Sequence, residues 1–386
     1  MQEINIDLVA NILGIVPFKE SNGEYYAKCP FCGDNRGKFS YTVIKKNKYH
    51  CWKCGNSGNQ FKLYSELKNL DLNLEDSREF KKCVNLIHQE LNGKTQPFKY
   101  ETSFIGNSVK QSNRACDEKL NIAYKALLSQ LQLNKYHKDN LFKRGLSEQH
   151  IAEIGFKTIQ GNGNLLTKQL LLQKIDLNGV PGFFKENNSW KLKYSKGYLC
   201  PVYRDHMIIG FQIRVDEPKN GCKYLWLSSA GKENGCTSGG RFTYLKGKKN
   251  VTLITEGILK ATICYELLDK QFSVIGVPGV DVLNDFKENG IGLIKNDFVF
   301  ECYDMDKKPY SGYNEKTLKK VQSAQHKLHN ILEKSNIKYT SLVWDFSNGI
   351  WKGNYKGLDD YLSEKNNIQT VIDYINNYTK NVSNNK

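Results

Sequence analysis

Two closely spaced cysteine pairs limit what this chain can fold into more than any other feature. The pairs, Cys29-Pro-Phe-Cys32 and Cys51-Trp-Lys-Cys54, are separated by 18 residues, and a glycine follows each of them directly. A Cys-x-x-Cys turn points both of its thiolates at one ion, and four thiolates complete a closed tetrahedral zinc shell. A closed shell leaves no position for a substrate, so the pattern predicts a small domain folded around a structural zinc ion.

Aromatic and basic residues surround the second pair. Trp52 and Lys53 lie inside it, and a lysine-rich stretch, residues 45–48, precedes it. Aromatic faces interleaved with lysine stack on unpaired bases and pair with phosphates. We therefore predict that Trp52 and Lys53 contact single-stranded nucleic acid, whereas Phe39 and Tyr41 pack around the metal.

The other cysteines and the N-terminus indicate a reducing compartment. The total of eleven cysteines is odd, and seven of them are scattered singly, which argues against a disulfide framework. The first residues include acids and no basic segment that leads into an apolar one, and no apolar run approaches the ~20 residues of a membrane span. We expect a soluble cytoplasmic protein.

The positive charge of the chain is concentrated in its middle third. Lys and Arg number 56 against 40 Asp and Glu, a formal net charge of +16. Residues 96–250 hold 25 basic and 12 acidic residues, whereas residues 251–386 hold 17 of each. A local basic field of this size favours a phosphate-binding groove. A solvated lysine-rich surface is the alternative.

The last third alternates apolar strands with helical stretches, a pattern typical of a parallel α/β sheet. The chain as a whole is predicted to be multidomain α+β and α/β, with a small zinc-ribbon-like N-terminal domain, a basic α+β subdomain and an α/β parallel-sheet domain. The predicted boundaries are 1–95 for the zinc domain, 96–116 for a linker, 117–250 for the basic subdomain, 251–365 for the parallel-sheet domain and 366–386 for a polar tail.

Acidic residues follow three apolar segments of this last third. Glu256 ends VTLITE, Asp304 and Asp306 follow FVFECY, and Asp359 and Asp360 come soon after YTSLVW. The carboxyl ends of parallel strands line one crevice, so these groups are predicted to converge. Clustered carboxylates repel one another unless a cation joins them, and Mg²⁺ or Mn²⁺ is the usual solution.

The zinc-binding stretch resembles the N-terminal zinc domain of bacterial-type replicative primases. It shares their CPF opening, the following FS segment, the HC entry to the second pair and the GN before the next helix. It departs from chromosomal primases at Cys32, where those proteins usually have histidine, and is more similar to the primases of phage primase-helicases.

The acidic segments resemble the toprim domain that primases share with topoisomerases and some nucleases. TEGILKA, VPGV and KGLDDYL are most similar to primase-type replication proteins of plasmids and phages. Lys260 stands where chromosomal primases have an aspartate, and we expect it to pair with a triphosphate or a neighbouring carboxylate. The resemblance implies that the catalytic residues are Glu256, Asp304 and Asp306, and that the metal ligands are Glu256, Asp304, Asp306, Asp359 and Asp360.

The basic middle resembles the first part of a primase polymerase core. LFKRGLSEQHIAEIGF is similar to its opening, and the segment from GYLCPVY to FTYLKG is similar to its basic subdomain. The resemblance implies that Arg214, Lys223 and Tyr224 contact template or nucleotide. Trp226 stands where the family usually has asparagine, so the correspondence stops there.

The combined prediction is a DNA primase that makes short RNA primers on single-stranded DNA from NTPs, with a structural zinc and catalytic Mg²⁺ or Mn²⁺. The alternatives are another toprim enzyme, such as a nuclease or a topoisomerase-like protein, and a non-catalytic protein that binds a replication origin. No GxxxxGK[ST] motif is present, so a replicative helicase would be a separate partner. The resemblance indicates a bacterial protein, with a phage or plasmid as the source of the gene.

Overall fold

The computed structural model describes residues 4–21, 23–43, 47–70, 72–91, 111–219, 222–238, 240–279, 282–310, 313–347 and 350–384. The chain divides into two compact units, one made of residues 1–111 and 230–233, the other of residues 112–229 and 234–386. The predicted linker 96–116 lies outside the described residues as far as residue 110. Among the described residues, no helix has both the length and the apolar character that a membrane span requires.

The described residues of the first unit form an antiparallel sheet and three helices. Its elements are α1 (Ile6–Ile12), β1 (Pro17–Ser21), β2 (Glu24–Ala27), β3 (Phe39–Thr42), β4 (Lys48–Cys51), β5 (Ser57–Asn59), α2 (Gln60–Leu67) and α3 (Ser77–Leu91). The strands lie in the order β1-β2-β3-β4-β5. Asn5 and Asn59 begin α1 and α2, because their side chains accept hydrogen bonds from the otherwise unpaired amides of Leu8 and Lys62.

The second unit opens with helices and an antiparallel sheet. Its first elements are α4 (Asp117–Ser129), α5 (Lys135–Phe142), α6 (Glu148–Ile154), β6 (Lys157–Ile159), α7 (Gly163–Leu172), β7 (Phe183–Glu186), β8 (Ser189–Leu192), β9 (Gly197–Arg204), β10 (Met207–Lys219) and β11 (Cys222–Trp226). The sheet has the order β11-β10-β9-β6, and β7 pairs with β8 as a separate hairpin. Gly145 takes a left-handed φ of 85° and separates α5 from α6.

A mostly parallel sheet follows in the same unit. Its elements are β12 (Thr243–Leu245), β13 (Lys249–Glu256), α8 (Ile258–Leu267), β14 (Phe272–Val277), α9 (Asn284–Asn289), β15 (Phe298–Glu301), α10 (Glu315–Lys334), β16 (Tyr339–Ser341), β17 (Phe346–Ser347), β18 (Ile350–Trp351), α11 (Leu358–Leu362) and α12 (Lys365–Asn384). The strand order is β12-β14-β13-β15-β16, and every pair is parallel except β12 with β14. The predicted domain boundary at residue 250 therefore falls inside this sheet.

The strands β13 and β14 are apolar on both faces because helices or loops cover both sides of a parallel sheet. One core joins the two sheets of the second unit, since Phe156 and Tyr198 share a buried cluster with Leu253 and Phe300. The prediction of a polar tail over residues 366–386 is wrong for most of that range, because residues 366–384 belong to α12. Val371, Ile372 and Ile375 lie at helical spacing on that helix and are buried in the same core.

Candidate functional site

The four cysteines of the first unit come together as the sequence predicts. Their sulfur atoms all lie within 4.8 Å of one another. The Sγ atoms of Cys29 and Cys54 are 3.9 Å apart, and those of Cys32 and Cys51 are 3.8 Å apart. A tetrahedron with zinc–sulfur bonds of about 2.3 Å has edges of roughly 3.8 Å. The cluster therefore fits a structural zinc ion without rearrangement.

Two similar turns hold these thiols. The amide of Gly33 donates to the carbonyl of Cys29 over 2.9 Å, and the amide of Gly55 donates to the carbonyl of Cys51 over 2.8 Å. Both glycines have a positive φ, 69° and 77°, which a residue without a Cβ adopts at little cost. The glycine after each pair is thus explained by the geometry of the turn.

The aromatic residues around the cysteines divide as predicted between core and surface. Phe39 and Tyr41 are buried, at 0% and 4% exposure, whereas Trp52 is 77% exposed. The Trp52 ring lies edge-on to that of His50, with centroids 4.4 Å apart. Trp52 therefore presents an open aromatic face on which a base can stack.

Lys53 has a buried anionic neighbour. Its Nζ lies 3.5 Å from an oxygen of Asp34, which also accepts a hydrogen bond from Arg36. Burial opposes ionisation of Asp34, but the hydrogen bonds and charge of Arg36 prevail and lower its pKa. Asp34 therefore orients Lys53 and Arg36 beside the second cysteine pair. The lysine-rich stretch 45–48 lies partly outside the described residues, which omit 44–46.

In the second unit, the predicted catalytic acids lie at one edge of the parallel sheet. Glu256 is the last residue of β13, and Asp304 follows β15, its parallel neighbour. Gly257 turns the chain into α8 with a φ of 93°, and its amide donates to the carbonyl of Val277 over 2.6 Å. Glu256 therefore lies at a strand end as predicted, whereas Asp304 lies three residues beyond the end of β15, at the same edge of the sheet.

A close approach between helix and sheet fixes this turn. A Cβ atom on Gly276, in β14, would lie 2.6 Å from Cβ of Ala261 and 2.8 Å from the carbonyl oxygen of Gly257. Both distances are too short for a real side chain, so only glycine lets α8 begin this close to β14. The position of Glu256 therefore depends on a neighbour that has no side chain.

Two lysines lie among the acids. The Nζ of Lys260, on the first turn of α8, donates to Oδ1 of Asp304. The Nζ of Lys356 lies 2.5 Å from Oδ2 of Asp306 and 3.9 Å from Oδ2 of Asp304. Lys260 thus pairs with a neighbouring carboxylate, one of the two partners that the sequence left open.

Asp359 and Asp360 occupy the start of α11. Arg144, between α5 and α6, lies 3.2 Å from Oδ2 of Asp359, while Oδ1 of Asp359 is buried without a hydrogen-bond partner. Asp359 is 2% exposed, and burial raises its pKa to about 6, against the opposing charge of Lys260. Asp360, in the first turn of this helix, accepts a hydrogen bond from the amide of the N-cap residue Gly357 over 3.3 Å.

The carboxylates share an edge without forming a tight cluster. Within the ranges that the structure describes, only the four cysteines place three or more metal-ligating atoms so close together. Burial and the charge of Asp304 raise the pKa of Glu256, and Lys260 and Lys356 oppose that rise. Hard carboxylate oxygens, one of them buried and unpaired, are donors that suit Mg²⁺ or Mn²⁺. The residues therefore fit a divalent ion at this edge.

The basic residues of the middle segment lie on the antiparallel sheet of the same unit. Arg214 in β10 pairs with Tyr224 in β11, and its guanidinium carbon is 5.1 Å from the centre of the Tyr224 ring. Burial raises the pKa of Tyr224, and the charges of Arg144 and Asp359 also act on it. Tyr224 packs against the core that also contains Leu358 of α11, so this strand pair and α11 share that core. Lys223 is exposed and, by strand alternation, faces the other side of the sheet.

A buried ion pair supports the loop that carries Asp304 and Asp306. Glu301 ends β15, and the Nζ of Lys307 lies 3.0 Å from Oε1 of Glu301 with both side chains at 0% exposure. The same ammonium donates to the carbonyl of Leu342 over 2.9 Å. The pair spans the loop at its two ends, so it restricts where the two aspartates can lie.

Sequence reasoning missed two cations of this site, Arg144 and Lys356. Arg144 lies in the segment LFKRGLS, and Lys356 begins KGLDDYL, so both stand inside stretches that the resemblance already singled out. Their contacts join positions 215 and 50 residues apart in the chain. The only sequence signal for these two cations was therefore their position inside those stretches.

Residues 2–96 match the CHC2 zinc finger family. A DNA primase of Listeria monocytogenes is 24% identical over 226 residues, which cover 57% of this chain and 35% of that protein. A DNA primase of Thermotoga maritima is 28% identical over 224 residues, which cover 55% and 36%. The crystal structure of the Aquifex aeolicus primase zinc-binding and RNA polymerase domains superposes with a TM-score of 0.50 at 15% identity, covering 96% of this chain and 83% of that one.

Over 57% of its length the chain is therefore similar to bacterial DNA primases. At 15% identity the Aquifex structure shows the fold alone, and it confirms the predicted class of zinc-ribbon-like domain followed by α+β and parallel α/β parts. The match spans about a third of the length of the curated primases.

Proposed function

We propose that this chain is a DNA primase, which joins NTPs into short RNA primers on a single-stranded DNA template. The observation that carries this proposal is the edge of the parallel sheet, where Glu256 and Asp304 lie with the cations Lys260 and Lys356, in the unit that also carries Arg214 and Tyr224. A nucleotidyltransferase needs acidic groups for a metal ion and basic or aromatic groups for the nucleic acid at the same place. The relatedness to primases supports the same reaction.

The acidic residues Glu256, Asp304 and Asp306 are the proposed catalytic and metal-binding groups, with Asp359 and Asp360 as further ligands. A bound Mg²⁺ or Mn²⁺ would align the attacking hydroxyl with the triphosphate and neutralise the charge that develops on the leaving pyrophosphate. The chain itself contributes the fixed position of its carboxylates, because α8, α11 and the Glu301–Lys307 pair hold the loops that carry them.

Template and nucleotide are proposed to contact the strand pair β10 and β11 on its two opposite faces. Arg214 is positioned by Tyr224 to neutralise a phosphate, and Lys223 provides a second charge at the exposed side of the same strand pair. In the first unit, Trp52 and Lys53 are proposed to read single-stranded DNA by stacking and phosphate contact. A separate replicative helicase and a cytoplasmic location in a bacterial cell, with a gene from a phage or plasmid, complete the proposal.

The test is primer synthesis on single-stranded DNA with NTPs and Mg²⁺, comparing the chain with Asp304→Asn. Asp373→Asn, an exposed aspartate on α12, is the matched control. We expect primers from the unchanged chain and the control, and none from Asp304→Asn. Cleaved or relaxed DNA in place of primers would instead indicate another toprim enzyme, and DNA binding without any product would indicate a non-catalytic protein.

A further inference from the structure

Asp304 is surrounded by positive charge that the chain itself supplies. Lys260 pairs with its Oδ1, and Lys356 lies 3.9 Å from its Oδ2. Lys356 also lies 2.5 Å from Asp306. The side chain of Asp304 is 7% exposed, so solvent screens these contacts little. Both oxygens of the central aspartate therefore already face a cation.

The charges at this edge would be balanced by one divalent ion. The five carboxylates are Glu256, Asp304, Asp306, Asp359 and Asp360. Among the described residues, three cations contact them directly, namely Lys260, Lys356 and Arg144. Five negative charges against three positive ones leave two uncompensated, which equals the charge of a single Mg²⁺ or Mn²⁺. A second divalent ion would bring the edge to a net positive charge beside two ammonium groups.

One carboxylate oxygen, Oδ1 of Asp359, is available to bind that ion. Oδ1 of Asp359 is buried without a hydrogen-bond partner in a residue that is 2% exposed, and such an oxygen is costly unless a cation joins it. A Cβ on Gly357 would lie 2.3 Å from this oxygen and 3.4 Å from Nζ of Lys260. The unpaired oxygen thus points to the side of α11 on which Lys260 lies, towards the acidic edge.

We propose that Lys260 and Lys356 take the place of one divalent cation, so that this site binds a single Mg²⁺ or Mn²⁺. This inference rests on the proposed function only where it concerns what the bound ion does. The number of bound ions is inferred from the charges of the site alone. It assigns Lys260 the role of an internal counterion for Asp304. The metal then binds through the carboxylate oxygens that the lysines leave free.

The test is a titration of the full, zinc-loaded chain with Mn²⁺, followed by the electron paramagnetic resonance signal of free Mn²⁺. We expect one Mn²⁺ per chain for the unchanged protein. Lys260→Met removes a cation and is expected to add a second Mn²⁺ or to bind the first at least tenfold more tightly. Lys260→Arg keeps the charge and is expected to bind one ion, as is Lys352→Met, an exposed lysine in the same unit.

Lys356→Met gives an independent reading, because its side chain is 55% exposed and its replacement leaves the core unchanged. It is expected to tighten Mn²⁺ binding in the same direction as Lys260→Met. Two Mn²⁺ ions on the unchanged chain, or lysine variants with unchanged number and affinity, would overturn the inference. If the unchanged chain makes primers with two ions bound, the inference alone fails. If it binds one ion and makes no primers, the proposed function fails and the inference stands.

Discussion

The buried pair of Glu301 and Lys307 predicts a large loss of stability when one partner is removed. In Lys307→Met the carboxylate of Glu301 keeps its hydrogen bonds from Gln325 and from the amide of Tyr303 but loses its cation. Neither side chain of the pair is exposed, so water cannot replace the missing charge. Removing one partner of such a pair costs about 3–5 kcal/mol, because an uncompensated charge stays buried.

Calorimetry measures this loss as a shift of the unfolding transition of the second unit. For a unit of this size each kcal/mol lowers the midpoint by about 2–4 °C, so Lys307→Met is expected to lower it by roughly 6 °C or more. Lys319→Met is the matched control, because Lys319 pairs with Glu315 while both side chains are about 70% exposed, and we expect little change. The double variant Glu301→Gln with Lys307→Met removes both charges and is expected to recover part of the loss.

The same pair has a defined pH dependence. Burial opposes ionisation of Glu301, but the charge of Lys307 and the hydrogen bond from Gln325 prevail, and the folded-state pKa lies below the usual 4.5. The stability from this pair is therefore complete above pH 4.5 and is lost as the pH falls through the lower folded-state pKa. The difference between the chain and Lys307→Met should shrink in acid. An equal difference at pH 7 and pH 4, or a midpoint shift no larger than that of Lys319→Met, would refute the reasoning.

Three further predictions concern the proposed sites. Elemental analysis should find about one zinc per chain, and chelation should abolish the circular dichroism and protease resistance of the first unit, since such binding energy is largely folding energy; full order without metal would contradict this. Glu256→Gln should lower primer synthesis at least about a hundredfold while retaining affinity for single-stranded DNA, because metal ligation is worth several kcal/mol in the transition state alone. A parallel loss of DNA affinity would mean that the roles are misassigned. Arg214→Ala and Lys223→Ala should each reduce the salt slope of DNA binding by roughly 1 if they contact template phosphates, and should raise the NTP requirement if they contact the triphosphate. Normal synthesis by both variants from 50 to 200 mM salt, roughly the range in which such slopes are measured, would leave them as surface charges.

The parts of the structure that follow from local sequence patterns were predictable. The zinc ligands depend on a spacing of three residues within each turn, and the acids depend on where apolar strands end. Both signals lie within a few residues, so Cys29 and Glu256 could be placed without knowledge of the rest of the fold. The exposure of Trp52 followed from the same reasoning, because the core around the cysteines was already filled by Phe39 and Tyr41.

The charges within the acidic edge were not predictable, because they depend on contacts between distant parts of the chain. Arg144 reaches Asp359 only because α5 and α6 share a core with α11. Nothing near Lys356 in the sequence shows that it faces Asp306 and not solvent. Sequence reasoning could place carboxylates at a sheet edge, but not the cations that neutralise them.

The C-terminal helix was missed because its polar composition obscures the helical spacing of its few apolar residues. Asparagine and lysine dominate residues 376–386, and such composition is common in frayed ends. The apolar positions that bury α12 lie further upstream, at Val371, Ile372 and Ile375. The two tyrosines of this helix, Tyr374 and Tyr378, then pack against Phe300 of the parallel sheet.

The close approach at Gly276 has a genetic consequence. The exchange of this glycine for alanine adds one methyl group, yet that group would meet Ala261 at 2.6 Å and push the start of α8 away from β14. Such an allele would keep every charged residue of the protein and still misplace Glu256. A screen for inactive alleles should therefore recover codon 276 among its hits, beside the codons of the acidic residues themselves.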